Sequence, residues 1–300
     1  MRRIGVGVCI ALLGLLAGAR AGAMPLTILY TNDLHMRFER LESLSELIAN
    51  ERAAAQRVLL FDAGDTWQDF RVPLYAVWGA EEMVDWMNAV GYDAMALGNH
   101  DLYWGADQLA NLSRVAEFPL LCANLIPTVA RVPPFVPYTF LEVDGIRVLV
   151  VGLIGAEYLP YRDFPWLWYV EPEIILRSIL DENAREADVV VVLAHLPLSR
   201  AKKVVEAVPK IDLFITGHSH ELTPEPVREG TTLLVQAGAY GRYLGRLVLD
   251  VDPETGTTQL ICADLLPTET APVKIGRGLI KLLEVTVVLI GLLAISLQKR

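Results

Sequence analysis

The chain has 300 residues, with 26 lysines and arginines against 36 aspartates and glutamates, a net charge of −10 and a hydrophobic fraction of 53%. An acidic chain without a basic run offers no electrostatic footing to a nucleic-acid polymer, and none is expected as a partner. An anionic substrate would need local compensation, such as bound cations.

The length accommodates one large domain or two small ones. Residues 1–23 place two arginines ahead of an apolar stretch at 4–19, then small residues at the spacings Ala19-Arg20-Ala21 and Ala21-Gly22-Ala23. That is the layout of a secretory signal peptide, so export is expected. Apolar runs that read as buried strands come next, at 26–30, 58–64, 93–98, 119–125, 146–155, 188–195, 211–217, 231–238 and 243–252. Helical periodicity occupies 38–55, 79–90, 105–115, 171–186 and 199–207, with Gly91 and Pro209 as punctuation. Strand alternating with helix predicts α/β layers. Asp144-Gly145 between two strand-like runs predicts a hairpin, and a second is expected around 253–256, so parallel and antiparallel pairing are mixed. The proline-rich stretches 126–137 and 158–172 read as loops. One domain is expected over 26–267, then a linker over 268–277 and an apolar segment over 278–298. The uncharged run 285–297, followed by Lys299 and Arg300, predicts a transmembrane anchor. The domain would then sit on the extracytoplasmic face, periplasmic or extracellular, with the C-terminus in the cytoplasm. Cys122 and Cys262 lie in apolar strand contexts and are expected as buried thiols rather than a disulfide or a metal pair.

The residues just beyond each strand carry the chemistry. After 26–30 come Asp33 and His35; after 58–64 comes Asp65; after the next strand come Asn99, His100 and Asp101. His195 ends the run at 188–195, and His218 and His220 come after 211–217. All five histidines therefore sit at the carboxyl end of an expected strand, the edge where open α/β sheets bind ligands. A lone histidine there is ordinarily a structural hydrogen-bonder, and a lone aspartate a helix cap. Neither reading accounts for the whole set. Imidazoles, carboxylates and an amide, without a thiolate, suit Zn, Mn or Fe. There are more ligands than one tetrahedral ion uses, and about the number for two divalent metal ions sharing a carboxylate. The D-x-H and H-x-H spacings let one loop supply neighbouring positions.

The strings NDLH at 32–35, GD at 64–65, GNHD at 98–101, the strand-borne His195 and GHSH at 217–220 resemble the calcineurin-like metallophosphoesterase superfamily, and within it the 5′-nucleotidase branch. The stretch VQAGAYGRYLGRLVLD at 235–250 resembles the closing strands of that branch. The resemblance implies a four-layer αββα sandwich of two mixed β-sheets, with terminal hydrophobic helices outside it. The terminal helices are read from the apolar chain ends, not from the resemblance. The resemblance implies one ion held by Asp33, His35 and His220 and another held by Asn99, His195 and His218. Asp65 would bridge them, with a metal-activated hydroxide attacking a small phosphorylated substrate. His100 would bind no metal and would act on the phosphate or the leaving oxygen.

Four features depart from the family pattern. Met36 replaces the glycine that usually comes after NDxH, and is expected to narrow the rim beside the metals. Tyr103 stands where an aspartate usually orients the catalytic histidine; Asp101 or Asp69 would take over that task, which makes Asp101 a candidate catalytic residue with His100. The second, nucleotide-stacking domain of the branch has no counterpart after 267, so nucleotide specificity does not carry over. The apolar tail is not part of the family core. Trp67, Trp104 and the aromatic segment 160–169 are candidate pocket walls, and Arg162, Arg200 and Arg242 candidate phosphate contacts. The expected function is an exported, membrane-tethered, dinuclear-metal phosphoesterase. The alternatives are a thiosulfohydrolase-like hydrolase of sulfur esters and a non-catalytic metal-binding or interaction module.

Overall fold

The computed structural model describes residues 24–67, 79–128, 135–156 and 165–271. The expected signal peptide, the anchor at 278–298, Asp69 and Arg162 lie outside the described residues. Among the described residues no helix is long and apolar enough to cross a membrane.

The elements run β1 (Met24–Thr31), α1 (Phe38–Ala54), β2 (Val58–Asp62), α2 (Ala80–Val90), β3 (Ala94–Ala96), α3 (Gly105–Val115), β4 (Leu120–Leu121), β5 (Leu125–Pro127), β6 (Tyr138–Val143), β7 (Ile146–Ile154) and β8 (Leu167–Tyr169). The second half adds α4 (Pro172–Asn183), β9 (Val189–His195), α5 (Leu198–Ala207), β10 (Leu213–Thr216), β11 (Val227–Glu229), β12 (Thr232–Val235), β13 (Tyr243–Asp252) and β14 (Thr257–Pro267). Two six-stranded sheets result, ordered β14-β13-β1-β2-β3-β4 and β11-β12-β10-β9-β7-β6. In the first, β1 to β4 are parallel and β13 pairs antiparallel with both β1 and β14; in the second, the parallel set β12-β10-β9-β7 is flanked by antiparallel β11 and β6. Both expected hairpins form, with Val143 opposite Ile146 and Asp252 opposite Thr257.

The pleat explains the layering, because successive side chains of a buried strand face opposite sides. Leu29, Leu60 and Met95 pack with Leu44, Ile48, Met83, Met87 and Leu109 of the first three helices. Their neighbours Ile28, Leu59, Phe61 and Ala94 meet Val148, Val150, Val191, Leu213 and Val235 of the other sheet. On that sheet's far side Val151, Val192, Phe214 and Leu234 pack with Leu176, Leu180, Ala201 and Val204 of α4 and α5. The order is helix, sheet, sheet, helix.

Two stretches read as loops from their prolines are partly strand. β5 and β8 pair antiparallel, with Ile126 opposite Trp168. The organiser is Asn124, whose amide donates to the Ile154 and Val170 carbonyls and whose oxygen accepts from Ile154 N–H. Pro127 sits at the strand's last position, where its missing N–H costs little. Residues 268–271, the described part of the expected linker, are bonded to the domain. Thr268 N–H donates to Arg242 O, Arg40 donates to Thr268 O, and Ala271 N–H donates to Glu39 O at 2.7 Å, fastening 268–271 along α1. Cys122 and Cys262 are not bonded to each other.

Candidate metal centre

The loops after β1, β2, β3 and β10, with the last residue of β9, converge at one edge shared by the two sheets. Glycine makes the approach possible at two points. A Cβ on Gly98 would lie 2.1 Å from Asp65 Oδ1 and 2.4 Å from Asp65 N. One on Gly217 would lie 2.9 Å from both Ala63 O and His195 Nδ1. The glycines of GNHD and GHSH are thus needed for close approach of backbone to ligand.

Three groups of side chains meet with ligand atoms within 4.8 Å of one another: Asp33, His35 and His220; Asp65, His195 and His218; and His35, Asp65 and His100. In the first, His220 Nε2 is 3.3 Å from Asp33 Oδ1 and 3.4 Å from His35 Nε2. In the second, His195 Nε2 is 3.1 Å from Asp65 Oδ2 and 3.2 Å from His218 Nδ1, which is itself 3.0 Å from Asn99 Oδ1. Ligands about 2.1 Å from a tetrahedral ion lie about 3.4 Å apart, so these spacings are those of atoms arranged around cations. Asp33 Oδ1 stands 4.0 Å from His195 Nε2, which joins the two sets into one centre. All seven residues expected as ligands are brought together.

The surroundings orient the ligands. His195 Nδ1 lies 2.9 Å from the Ala63 carbonyl, an acceptor, so the ring donates there and presents Nε2 to the centre. Asp33 accepts from Asn32 Nδ2 and His218 N–H, and Asn32 in turn donates to Gly238 O and accepts from Ala237 N–H. Five of the seven ligand positions, Asp33, His35, Asp65, His218 and His220, have φ between 48° and 73°. Left-handed backbone at non-glycine residues costs about 1–3 kcal/mol each and clusters at functional sites, where the fold over-determines it.

Electrostatics point the same way. Burial opposes a charge on His195, but the carboxylates of Asp65 and Asp33 overcome it and raise its pKa to about 10. Burial raises Asp65, and the facing imidazoles of His195, His100 and His35 outweigh it and hold its pKa well below the usual carboxylate range. Burial and then the charge of His195 lower His218 to about 4. Asp33 and Asp65 are both buried, and in the metal-free protein the proton on His195 compensates their charge. A bound cation supplies the same compensation and leaves the imidazoles neutral as ligands. The donor set therefore fits divalent metal.

His100 stands apart from the ligands. Its Nε2 is 3.9 Å from Asp65 Oδ2, its ring is 4.9 Å from that of His35, and its side chain is 31% exposed, so it faces the open side of the centre. Asp101 anchors a neighbouring loop. Its Oδ2 accepts the N–H groups of Asp65 and Gly98, and its Oδ1 those of Thr66 and Trp67, at 2.8–3.2 Å. Fully buried, with both oxygens accepting backbone donors, it holds the loop that carries Asp65. Burial and the charge of Asp65 push its pKa up, while the backbone donors favour the ionised form. Beside His100 stands Tyr103, with ring centroids 5.7 Å apart.

Other expectations also change. Met36 does not line the rim: it is buried in the core beside Gly79, and its φ of 55° explains why a glycine suits this position. Trp67 is buried, and Trp104 donates its indole N–H to Trp67 O, so both pack the core. Trp166 and Tyr169 pack against the core, whereas Trp168 is exposed. Arg200 is paired with Glu173 and Glu171 on the far helices rather than at the centre. Sequence reasoning missed Arg37 and Tyr240. The Tyr240 ring lies 5.4 Å from that of His35 and 5.1 Å from that of His220. The guanidinium groups of Arg37 and Arg242 lie 4.9 and 5.4 Å from its centroid. Nothing local in the sequence signals this grouping, because Arg37 reaches it from the other end of the domain's chain.

Residues 26–222 match the model of the calcineurin-like phosphoesterase family. The chain is 31% identical over 234 residues to an uncharacterized metallophosphoesterase, YunD, of Bacillus subtilis (strain 168), covering 76% of this chain and 50% of that protein. It is 31% identical over 291 residues to a 5′-nucleotidase of Diplobatis ommata, covering 81% and 49%. The chain thus spans about half the length of the curated relatives it matches. Among solved structures, a 5′-nucleotidase precursor from Thermus thermophilus superposes with a TM-score of 0.73 at 24% identity, over 82% of this chain and 55% of that one, a likeness of fold. With the metal-ligand motifs in family order and converging on one centre, the chain belongs to the calcineurin-like phosphoesterase family.

Proposed function

We propose that this protein is a metal-dependent hydrolase of a small phosphorylated substrate, exported and held at the membrane by its apolar segment 278–298. The observation that carries the catalytic part is the convergence of seven ligand-type side chains in two sets that meet around Asp65 and Asp33. Asp33, His35 and His220 would hold one divalent ion and Asn99, His195 and His218 the other, with Asp65 between them. When bound, such a pair supplies positive charge to the phosphoryl group and makes water a stronger nucleophile.

The chain's own residues do the rest. Asp101 fixes the Asp65 loop, and Ala63 O fixes the His195 ring. His100 presents Nε2 to the open side, where it holds the proton that the leaving oxygen takes up. Export and tethering rest on the sequence of the two termini alone.

The test loads purified full-length protein with Zn, Mn or Fe, counts ions per chain, and assays aryl phosphates, phosphodiesters and nucleotides. Two ions and phosphate release are expected, with His100→Ala keeping the metal and losing about 100-fold or more in kcat. Folded, metal-replete protein that cleaves none of these esters would refute the proposal; cleavage of sulfur esters alone would favour the sulfur-ester alternative.

A further inference from the structure

We infer that Gln236 is a positioning residue for the metal centre: its side-chain oxygen holds the loop that carries His218 and His220, and so sets how both ligand sets take metal; this rests on the metal-dependent reading above. Gln236 comes directly after β12 and is fully buried. Its Oε1 accepts the Ser219 hydroxyl at 3.0 Å and the Glu221 N–H at 3.1 Å. Ser219 stands between the two histidines, and Glu221 comes next after His220. One oxygen therefore pins the loop on both sides of His220 and just after His218.

The loop needs holding. His218 and His220 have φ of 73° and 56°, and the Ser219 N–H donates to Gly217 O at 2.9 Å, closing a three-residue turn around His218. Such a turn at positive φ is rare and strained, and it persists where its surroundings over-determine it. The same turn divides the H-x-H pair. His218 goes to the set with Asp65 and His195, and His220 to the set with Asp33 and His35.

The fold's own pairing does not use the Gln236 side chain. Gln236 N–H donates to Thr223 Oγ1, its carbonyl accepts the Thr223 N–H and hydroxyl, and Gly238 N–H donates to Glu221 O. Backbone groups thus tie the end of β12 to residues 221–223, and the amide oxygen goes to the ligand loop. Gln236 Nε2 is buried and has no hydrogen-bond partner among the described residues. A buried NH2 left without a partner is unfavourable, so the residue serves through its oxygen. The next two residues hold the opposite loop. Ala237 N–H donates to Asn32 Oδ1, and Asn32 Nδ2 lies within donating distance of Gly238 O and Asp33 Oδ2. Residues 236–238 are therefore a bracket that grips ligand loops from both sheets.

The test compares full-length wild type, Q236M, Q236E and S219A in three measurements: Zn affinity by equilibrium dialysis, the absorption bands of the Co form, and the melting temperature of the metal-free form. Methionine matches glutamine in length but lacks the acceptor, so Q236M is expected to bind Zn about 10- to 100-fold more weakly and to shift the Co bands. Q236E keeps the oxygen and gives up an NH2 that bonds nothing, but buries a carboxyl group. It is expected to melt lower than wild type yet to bind Zn within about threefold of it. S219A, at a half-buried position, removes one of the two bonds and is expected to weaken Zn by about 3- to 10-fold; it covers the case in which Q236M fails to fold. Affinity that follows the oxygen rather than the melting temperature supports the assignment. Unchanged Zn affinity and Co bands in Q236M or S219A, or the same loss of metal in Q236E as in Q236M, overturns it and leaves the metal centre standing. Wild type that binds no metal overturns the metal-dependent reading with it.

Discussion

Asp101→Asn isolates the residue that holds the bridging aspartate in place. The carboxylate accepts four backbone N–H groups, two on each oxygen, inside the protein. Asparagine must turn its NH2 toward one of those pairs in either orientation. Two bonds are lost, and buried donors then face donors. Each buried donor left without a partner costs about 1–3 kcal/mol, so the substitution should cost about 4 kcal/mol in total. For a domain of this size that is a fall in Tm of about 8–16 °C. Because the same bonds hold Asp65 at φ 58°, metal affinity should fall too, by about 10- to 100-fold as for other residues that orient a ligand. Thermal and urea unfolding of the metal-free protein measure the first effect, and equilibrium dialysis with metal analysis the second. If Asp101→Asn unfolds within about 1 kcal/mol of wild type and binds metal as tightly while turnover alone collapses, Asp101 is a catalytic acid after all and the positioning argument is wrong.

Gly98→Ala places a methyl 2.1 Å from Asp65 Oδ1, against backbone as well as side chain, so the protein should lose its full metal complement and about 100-fold or more of kcat/KM; two tightly held ions in the variant would contradict this. The metal-free protein has a pH signature from His195, whose pKa rises from 6.5 to about 10 on folding. A group raised in this way contributes stability that is present below 6.5 and is lost as pH climbs toward 10, because the folded state binds the extra proton. Chelated protein should therefore melt lower at about pH 9 than at about pH 6.5, the difference should shrink in His195→Gln, and metal binding at about pH 7.5 should release a proton, seen as calorimetric heats that vary with the buffer. Melting that is flat across this range would contradict the charge assignment.

Much of the centre was legible in the sequence because its ligands are local: each lies within a few residues of a strand's end, and strands announce themselves by apolar runs bounded by glycine or polar turns. His195, His218 and His220 could be placed at one edge without knowing the strand order. Which strands share a sheet could not be read, since buried strands of both sheets are apolar on both faces, Val191 and Val192 alike. The β5–β8 ribbon was hidden because Asn124, just before β5, anchors it through residues distant in sequence, Ile154 and Val170, and its prolines argue for a loop. The anchoring role of Asp101 was hidden for a related reason. Its neighbour in sequence is His100, but its partners are the backbone N–H groups of another loop. Arg37 and Tyr240 gave no signal, since each looks locally unfavourable until the tertiary contact is seen.

The fastening of 268–271 to α1 has a practical side. β1 begins with Met24, paired to Val251, and runs about 23 Å before reaching the catalytic edge, so Met24 lies at the pole opposite that edge. Ala271 is bonded to Glu39, in the first turn of α1 and four residues after His35. A reporter fused ahead of Met24 therefore leaves the mouth unobstructed, whereas one joined directly after Ala271 starts at its doorstep.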